Sequence, residues 1–242
     1  MSACAEVVAE VRVAIRRELE RLRAGGLEAR RLLDVGCWDG STTLEYAGVF
    51  GCAAFGIEIF EAEAAKAVAR GVDVTRLDLE TRPFPWPDAS MDVVVANQVL
   101  EHLKNVWLPM SEIHRVLRPG GAAVLSVPNL ASLHNRVLLA LGRQPTSIRT
   151  FGPHVRGFTF REFRAFVARG GAFGIERARS VGFYPLPARF AALPAALWRG
   201  AGHTTLLVAR KREGHPPQAG PPPWLPYLRG ELDAGLQTWF EP

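Results

Sequence analysis

Several groups of side chains in this sequence are spaced for chemistry rather than for packing. One is a glycine turn, Gly36-Cys37-Trp38-Asp39-Gly40, entered from Asp34 and left through Ser41-Thr42. Glycines let a ligand approach the backbone closely, and a helix opening there offers unpaired N–H groups. Glu58 lies about twenty residues beyond the turn, the spacing at which a carboxylate accepts hydrogen bonds from ribose hydroxyls. Asp78-Leu79 sets an acid beside an apolar residue. Imidazoles and guanidiniums follow: His102, then His134, Asn135, Arg136, Arg143, His154 and Arg156 within one irregular stretch. Imidazole titrates near neutrality and serves as a general base, with His102 and His154 the candidates. Guanidinium forks match carboxylates and phosphates, so Arg136, Arg143 and Arg156 suit an anionic part of a substrate.

The elements that must carry these groups alternate. Leu32, Leu33 and Val35 form a short apolar run that reads as a buried parallel strand, and Ser41 or Thr42 is placed to cap a helix beginning near Thr43. Ala53–Glu58 reads as a second strand, Glu61–Arg70 as a helix stopped by Gly71, and Val72–Val74 as a third strand. Met91–Ala96 is the next strand, after a loop made rigid by Pro83, Pro85 and Pro87. A helix over Trp107–Leu117 leads through Arg118-Pro119-Gly120-Gly121 into a strand at Ala122–Val127. Residues 128–157 lie where α/β sheets place their substrate crevice, beyond the carboxyl ends of the strands. Thr159-x-x-Glu162 is a capping box opening a helix that Gly170-Gly171 closes. Phe173–Val181 and Thr204–Ala209 read as a final antiparallel pair. At the front, Val7, Val11, Ile15, Leu19 and Leu22 fall at helical spacing within residues 3–24, ended by Gly25-Gly26.

The chain of 242 residues suffices for one α/β domain with a large core. Residues 1–212 are expected to form it, with a substrate-side insertion at about 128–157. Residues 213–242 read as a proline-rich linker with an apolar tail, Trp224 to Phe240, that folds back or docks on a partner. The net charge of +5 comes from 29 basic and 24 acidic residues, and the arginines are scattered. No basic arm or interleaved aromatic stretch points to nucleic acid. Cys4, Cys37 and Cys52 have no Cys-x-x-Cys pairing and fit no zinc spacing, so no metal is expected and a reducing, cytoplasmic setting is. Glu6 and Glu10 interrupt the first apolar stretch, against a signal peptide, and no run is long enough to span a bilayer. Phe183–Trp198 is apolar and proline-broken, suited to a lid or an oligomer contact, and a homodimer is carried as an expectation.

Asp34-x-Gly36-x-Trp38-x-Gly40 resembles motif I of the class I S-adenosylmethionine-dependent methyltransferases, whose usual form is Asp-x-Gly-x-Gly-x-Gly; Trp38 stands where the middle glycine would. Pro87-Asp88-x-Ser90-x-Asp92-Val93-Val94, then Val99-Leu100-Glu101-His102-Leu103, then Arg115-x-Leu117-Arg118-Pro119-Gly120-Gly121, resemble the small-molecule branch of that family. The resemblance implies a Rossmann-like fold with a mostly parallel seven-stranded sheet, an antiparallel final strand pair and helices on both faces. It implies S-adenosylmethionine as cofactor and S-adenosylhomocysteine as product. The cofactor would be held by Asp34, Gly36, Cys37, Trp38, Gly40, Glu58, Ile59, Asp78, Leu79, Asn97 and Gln98. His134, Asn135, Arg136 and Arg156 would face the acceptor. Asn97 is followed by Gln98-Val99 rather than Pro-Pro-aromatic, and no Pro-Cys nucleophile occurs. Both absences favour a small-molecule or glycan hydroxyl over a nucleic acid. Gly71-Val72-Asp73-Val74, Asp78-Leu79 and Pro128-Asn129 also resemble MetW-like proteins, which keep this fold and support methionine biosynthesis through a partner. A non-catalytic role of that kind stands as the alternative.

Overall fold

The computed structural model describes residues 3–183, 198 and 200–212. The body of the expected lid, 184–197, and the tail from 213 lie outside the described residues. The elements run α1 (Ala3–Ala24), β1 (Arg31–Val35), α2 (Ser41–Phe50), β2 (Ala53–Glu58), α3 (Glu61–Ala69), β3 (Asp73–Arg76), β4 (Met91–Asn97) and α4 (Trp107–Val116). They continue as β5 (Leu117–Pro128), α5 (Leu133–Ala140), α6 (Phe160–Ala168), β6 (Phe173–Val181) and β7 (Thr204–Lys211). Single 3-10 turns follow β4 at Leu100–His102 and α6 at Arg169–Gly171.

The strands form one seven-stranded sheet in the order β3-β2-β1-β4-β5-β7-β6. The first five are parallel, and β7 runs antiparallel between β5 and β6. Alternation along β4 and β5 explains why both faces are covered. Val94, Ala96, Ala123 and Leu125 meet Met110, Ile113 and Val116 of α4 and Phe163 and Val167 of α6. Val93, Val95, Ala122 and Val124 meet Val11, Ile15, Leu19 and Leu22 of α1 and Tyr46 and Val49 of α2. The apolar spacing of residues 3–24 thus serves a helix packed on the sheet. No helix among the described residues is long and apolar enough to cross a membrane.

Local outcomes differ from expectation in three places. The helix after the glycine turn starts at Ser41, and Gly40 is its N-cap residue, without a side-chain cap. Ser41 Oγ instead donates to Asp39 Oδ1, and Thr43 Oγ1 donates to Asp34 Oδ2. The strand expected at Ala122–Val127 extends from Leu117 to Pro128, through the Pro119-Gly120-Gly121 bend. Residues 128–157 contain a helix, α5, whose buried side chain is Asn135.

α1 is fixed to the far edge of the sheet by charge. Glu18 is fully buried, and its carboxylate accepts from Arg177 Nε at 2.7 Å and Arg179 Nη1 at 2.6 Å on β6, with Arg21 completing the cluster. Burial alone would raise the Glu18 pKa, but hydrogen bonds from Arg179 and Arg177, with the charge of Arg21, hold it below its ordinary 4.5. The cluster's contribution is therefore complete above that value and is lost as the pH falls through the lowered one. Glu18→Ala is expected to cost roughly 1–3 kcal/mol at pH 7, the range between exposed and buried pairs. Urea midpoints at pH 7 and pH 3 check this, with the larger difference from wild type at pH 7.

Candidate active site

The parallel register brings the sequence-predicted residues to one edge. Val35 of β1 lies beside Ile57 of β2 and Ala96 of β4, and Asn97 of β4 lies beside Ser126 of β5. Gly36, Glu58 and Asn97 therefore leave neighbouring strands at the same level. β1 and β4 are also where the chain reverses its direction of winding, the crevice position in open α/β sheets. β3 pairs Arg76 with Glu58, which sets Asp78 just beyond the same edge.

The turn after β1 is packed without slack. Gly36 has φ +76°, and a Cβ there would lie 2.6 Å from Val99 Cγ2. Its N–H and that of Cys37 both donate to the Ile57 carbonyl, at 2.9 and 3.0 Å. Gly40, at φ +75°, sits where a Cβ would come within 2.8 Å of Ala67 Cβ on α3. Trp38, between them, has φ +49°, the left-handed region that glycine occupies freely and that costs other residues roughly 1–2 kcal/mol. The Trp38 indole is 56% exposed and leans edge-on against the exposed ring of Phe60 at 5.9 Å, so it lies on the surface rather than plugging the strand ends. Gln98, across the crevice, has φ +57°, and its N–H donates to the Ser126 carbonyl at 3.0 Å. Asn97 Oδ1 accepts from Ser126 Oγ at 2.7 Å.

Two buried carboxylates underlie this turn. Glu58 accepts from the Trp38 N–H on Oε2 at 2.9 Å and from the Ile59 and Phe60 N–H groups on Oε1 at 2.8 and 2.9 Å. A carboxylate has about four lone-pair directions, so about one remains for a ligand. Asp34 is pushed up to about 7, chiefly by burial; the Thr43 hydroxyl pulls it down and the nearby Glu58 charge raises it further. Burial and the same two acids push the Cys37 thiol up to about 12, so it is an inert packing group. Asp78 accepts from the Glu80 N–H at 2.9 Å and the Thr81 hydroxyl at 3.0 Å, and Leu79 is buried beside it.

On the other side of β4 the insertion folds over the 3-10 turn. The N–H groups of Val155 and Arg156 both donate to the Glu101 carbonyl, at 2.9 and 3.1 Å. This docking brings together the two histidines named from sequence: the rings of His102 and His154 are 4.7 Å apart. His102 Nδ1 lies 3.2 Å from the Pro153 carbonyl, and His154 Nδ1 lies 2.8 Å from that of Ser147. A carbonyl only accepts, so Nδ1 carries the hydrogen on each neutral ring and Nε2 keeps a lone pair. Burial lowers the His102 pKa, and the His154 charge adds to that against the Pro153 hydrogen bond, so the ring is neutral at pH 7.

Glu101, beside His102, is a further acid at this corner. The Leu100–His102 turn is 3-10, and Glu101 points inward at 1% exposure with neither carboxylate oxygen hydrogen-bonded. Burial pushes it up to about 8. The signal was its position between Leu100 and Leu103, both core residues. His203, also unanticipated, stacks on His134 at 5.7 Å and is pushed down to about 4, mainly by burial.

The remaining acceptor-side candidates are held in different ways. Asn135 is buried and uses all four hydrogen-bonding positions internally: its amide N–H groups go to the Asn129 carbonyl and Ser147 Oγ, and its oxygen accepts twice from Thr146. It organises the insertion. His134 Nε2 pairs with Thr146 Oγ1 at 2.7 Å. Arg136 donates to the Ala131 and Gly200 carbonyls and lies over Trp198. Arg156 donates to the Lys104 carbonyl and lies 4.9 Å over the Trp107 ring.

A parallel 3-2-1-4-5 sheet completed by an antiparallel 7-6 pair, with a glycine turn after β1 and an acid closing β2, defines the class I methyltransferase architecture. Residues 33–125 match the family model described as a methyltransferase domain, and the fold is that of the Rossmann-like methyltransferases. It is 35% identical over 125 residues to 27-O-demethylrifamycin SV methyltransferase of Amycolatopsis mediterranei, covering 46% of this chain and 43% of that protein. It is 36% identical over 149 residues to a protein of Mycolicibacterium smegmatis named a probable S-adenosylmethionine-dependent methyltransferase, covering 61% of this chain and 53% of that one. The chain thus spans about half the length of the curated relatives it matches. In fold it is similar to a SAM-dependent methyltransferase of Thermotoga maritima, with a TM-score of 0.59 at 18% identity, over 85% of this chain and 91% of that one.

The strength of the Asp34 environment can be measured. Because its pKa in the fold is raised, the native state favours the protonated form; that contribution is complete below about pH 4 and is lost as the pH rises through about 7. Asp34→Asn, which keeps an acceptor for Thr43, is expected to stabilise the ligand-free protein at pH 8 by on the order of 3 kcal/mol and to change it little at pH 4. Urea unfolding at the two pH values checks it.

Proposed function

We propose that this chain is an S-adenosylmethionine-dependent methyltransferase whose acceptor is a hydroxyl of a small molecule or glycan. The observation that carries the reading is the pair of buried carboxylates, Asp34 and Glu58, at adjacent strand ends below a turn that admits no Cβ at Gly36. A buried site holding two acids favours a cationic ligand, and burial strengthens that preference. The relative from Amycolatopsis mediterranei, named for methylation of 27-O-demethylrifamycin SV, supports the oxygen and small-molecule parts of the reading.

When bound, S-adenosylmethionine supplies a methyl group already activated by positive sulfur. The chain's work is then placement. Glu58 offers its remaining lone-pair direction to a ribose hydroxyl, and Asp78 is placed for the adenine amino group with Leu79 packing on the ring. Asp34 lies beneath the turn, where it favours positive charge. Holding acceptor and methyl carbon in line contributes an effective molarity of about 10^5 M or more, against roughly 10^2 to 10^4-fold from a general base. The His102–His154 pair supplies that base: the Nε2 lone pair of His102 takes the hydroxyl proton as the new carbon–oxygen bond forms. Arg136 and Arg156 line the approach for an acceptor bearing a carboxylate or phosphate.

Calorimetry with S-adenosylhomocysteine tests the reading. Single-site binding is expected, weakened roughly 10 to 100-fold in Glu58→Gln, the value of one charge-assisted hydrogen bond. His102→Ala leaves that affinity unchanged. Absence of binding to a folded wild-type chain, together with a stable complex in pull-down with an acyltransferase partner, would move the assignment to the MetW-like role.

A further inference from the structure

Among the described residues of the acceptor side, Glu101 is the acid whose burial has no visible compensation. Its carboxylate is 1% exposed and neither oxygen has a hydrogen-bond partner. An unpaired buried carboxylate costs several kcal/mol unless it is neutralised or bound to a cation. The neighbours that could do this come from two separate parts of the chain. One ligating atom each from Glu101, His102 and His154 lie within 4.8 Å of one another. Both imidazoles rest Nδ1 on a main-chain carbonyl, Pro153 for His102 and Ser147 for His154, which orients the ring and frees Nε2. Metal-ligating histidines are held in this way. His102 is exposed, so the cluster opens towards solvent on one side.

We propose that Glu101, His102 and His154 form a binding site for one divalent transition-metal ion of the zinc type. Two imidazole nitrogens and one carboxylate oxygen are a donor set of borderline softness that suits Zn2+, with a fourth position left open. Ligand atoms around such an ion stand about 2.0–2.2 Å from it and so about 3–3.5 Å apart. The three atoms therefore close in from within 4.8 Å when the ion binds, and none of the three residues belongs to a strand. No spacing rule reveals the site, because the cysteines fit no zinc pattern and the histidine ligands stand 52 positions apart (102 to 154). With the ion bound both Nε2 lone pairs are engaged, so an acceptor hydroxyl at the open position would be polarised by the ion and would release its proton to solvent in place of the imidazole base. That use rests on the methyltransferase reading; the binding of the ion does not.

The full chain, stripped with a chelator and freed of it, is titrated with ZnCl2 by calorimetry, and the bound metal is counted by elemental analysis after gel filtration. One equivalent is expected. Glu101→Gln and His154→Ala are each expected to weaken binding roughly tenfold or more, whereas Cys52→Ser leaves it unchanged. Two variants guard against misfolding, because His154 is only half-buried in the insertion whereas Glu101 is in the core. Co2+ in place of Zn2+ is expected to give a visible spectrum without the thiolate charge-transfer band that binding at a cysteine would add. No stoichiometric binding, affinity unchanged in both variants, or a thiolate band would each overturn the proposal. Titration with S-adenosylhomocysteine on the same samples keeps the two readings apart: its failure with zinc binding intact counts against the methyltransferase reading alone, and the converse against the metal site alone.

Discussion

At the exit of β1 the backbone passes so close to its neighbours that no side chain fits. A Cβ on Gly36 would overlap Val99, and one on Gly56 would lie 2.5 Å from Cys37 Sγ. This close approach lets the N–H groups of Gly36 and Cys37 share the Ile57 carbonyl and places the Trp38 N–H on Glu58. The glycine turn, the closing acid of β2 and the first residues after β4 are therefore one packed unit, and each depends on the others keeping their size.

Charge follows from that packing. Parallel strands that end together bring their terminal residues together, and here two of those residues are acids. Asp34 responds by holding its proton to about neutrality, whereas Glu58 spends its oxygens on main-chain N–H groups. Across β4 the same problem is met by neutral imidazoles, with His203 pushed down to about 4 and His102 below its ordinary value. The crevice thus has an acidic side and a side of uncharged proton acceptors, divided by β4.

The parts of this arrangement that were legible in the sequence are those set by local rules. Apolar runs of four to six residues between glycines and acids gave the strands, and helical spacing gave α1, α3, α4 and α6 nearly to the residue. Glu58 was found because ribose-binding acids keep a distance from the glycine turn that the βαβ unit fixes. What was not legible came from tertiary contact. A 3-10 turn of three residues turned Glu101 inward where helical spacing would have left it outside. Asn135 looked like a free hydrogen-bonding group and proved to be the internal brace of the insertion, a difference no spacing rule carries. Trp38 explains its own oddity only in the fold: it takes up the left-handed backbone that the family's glycine would adopt without strain.

The two hydrogen bonds from Val155 and Arg156 to the Glu101 carbonyl join the insertion directly to the turn that carries His102. The pocket wall and the reactive corner consequently move as one piece. Ser147 belongs to the same brace, since its carbonyl meets His154 Nδ1 and its hydroxyl meets Asn135, so changes at 147 or at 153–156 would shift the histidines along with the insertion. On the proposed methyltransferase reading, selectivity and turnover would then drift together, which makes the hook the place where a new substrate is hardest to acquire.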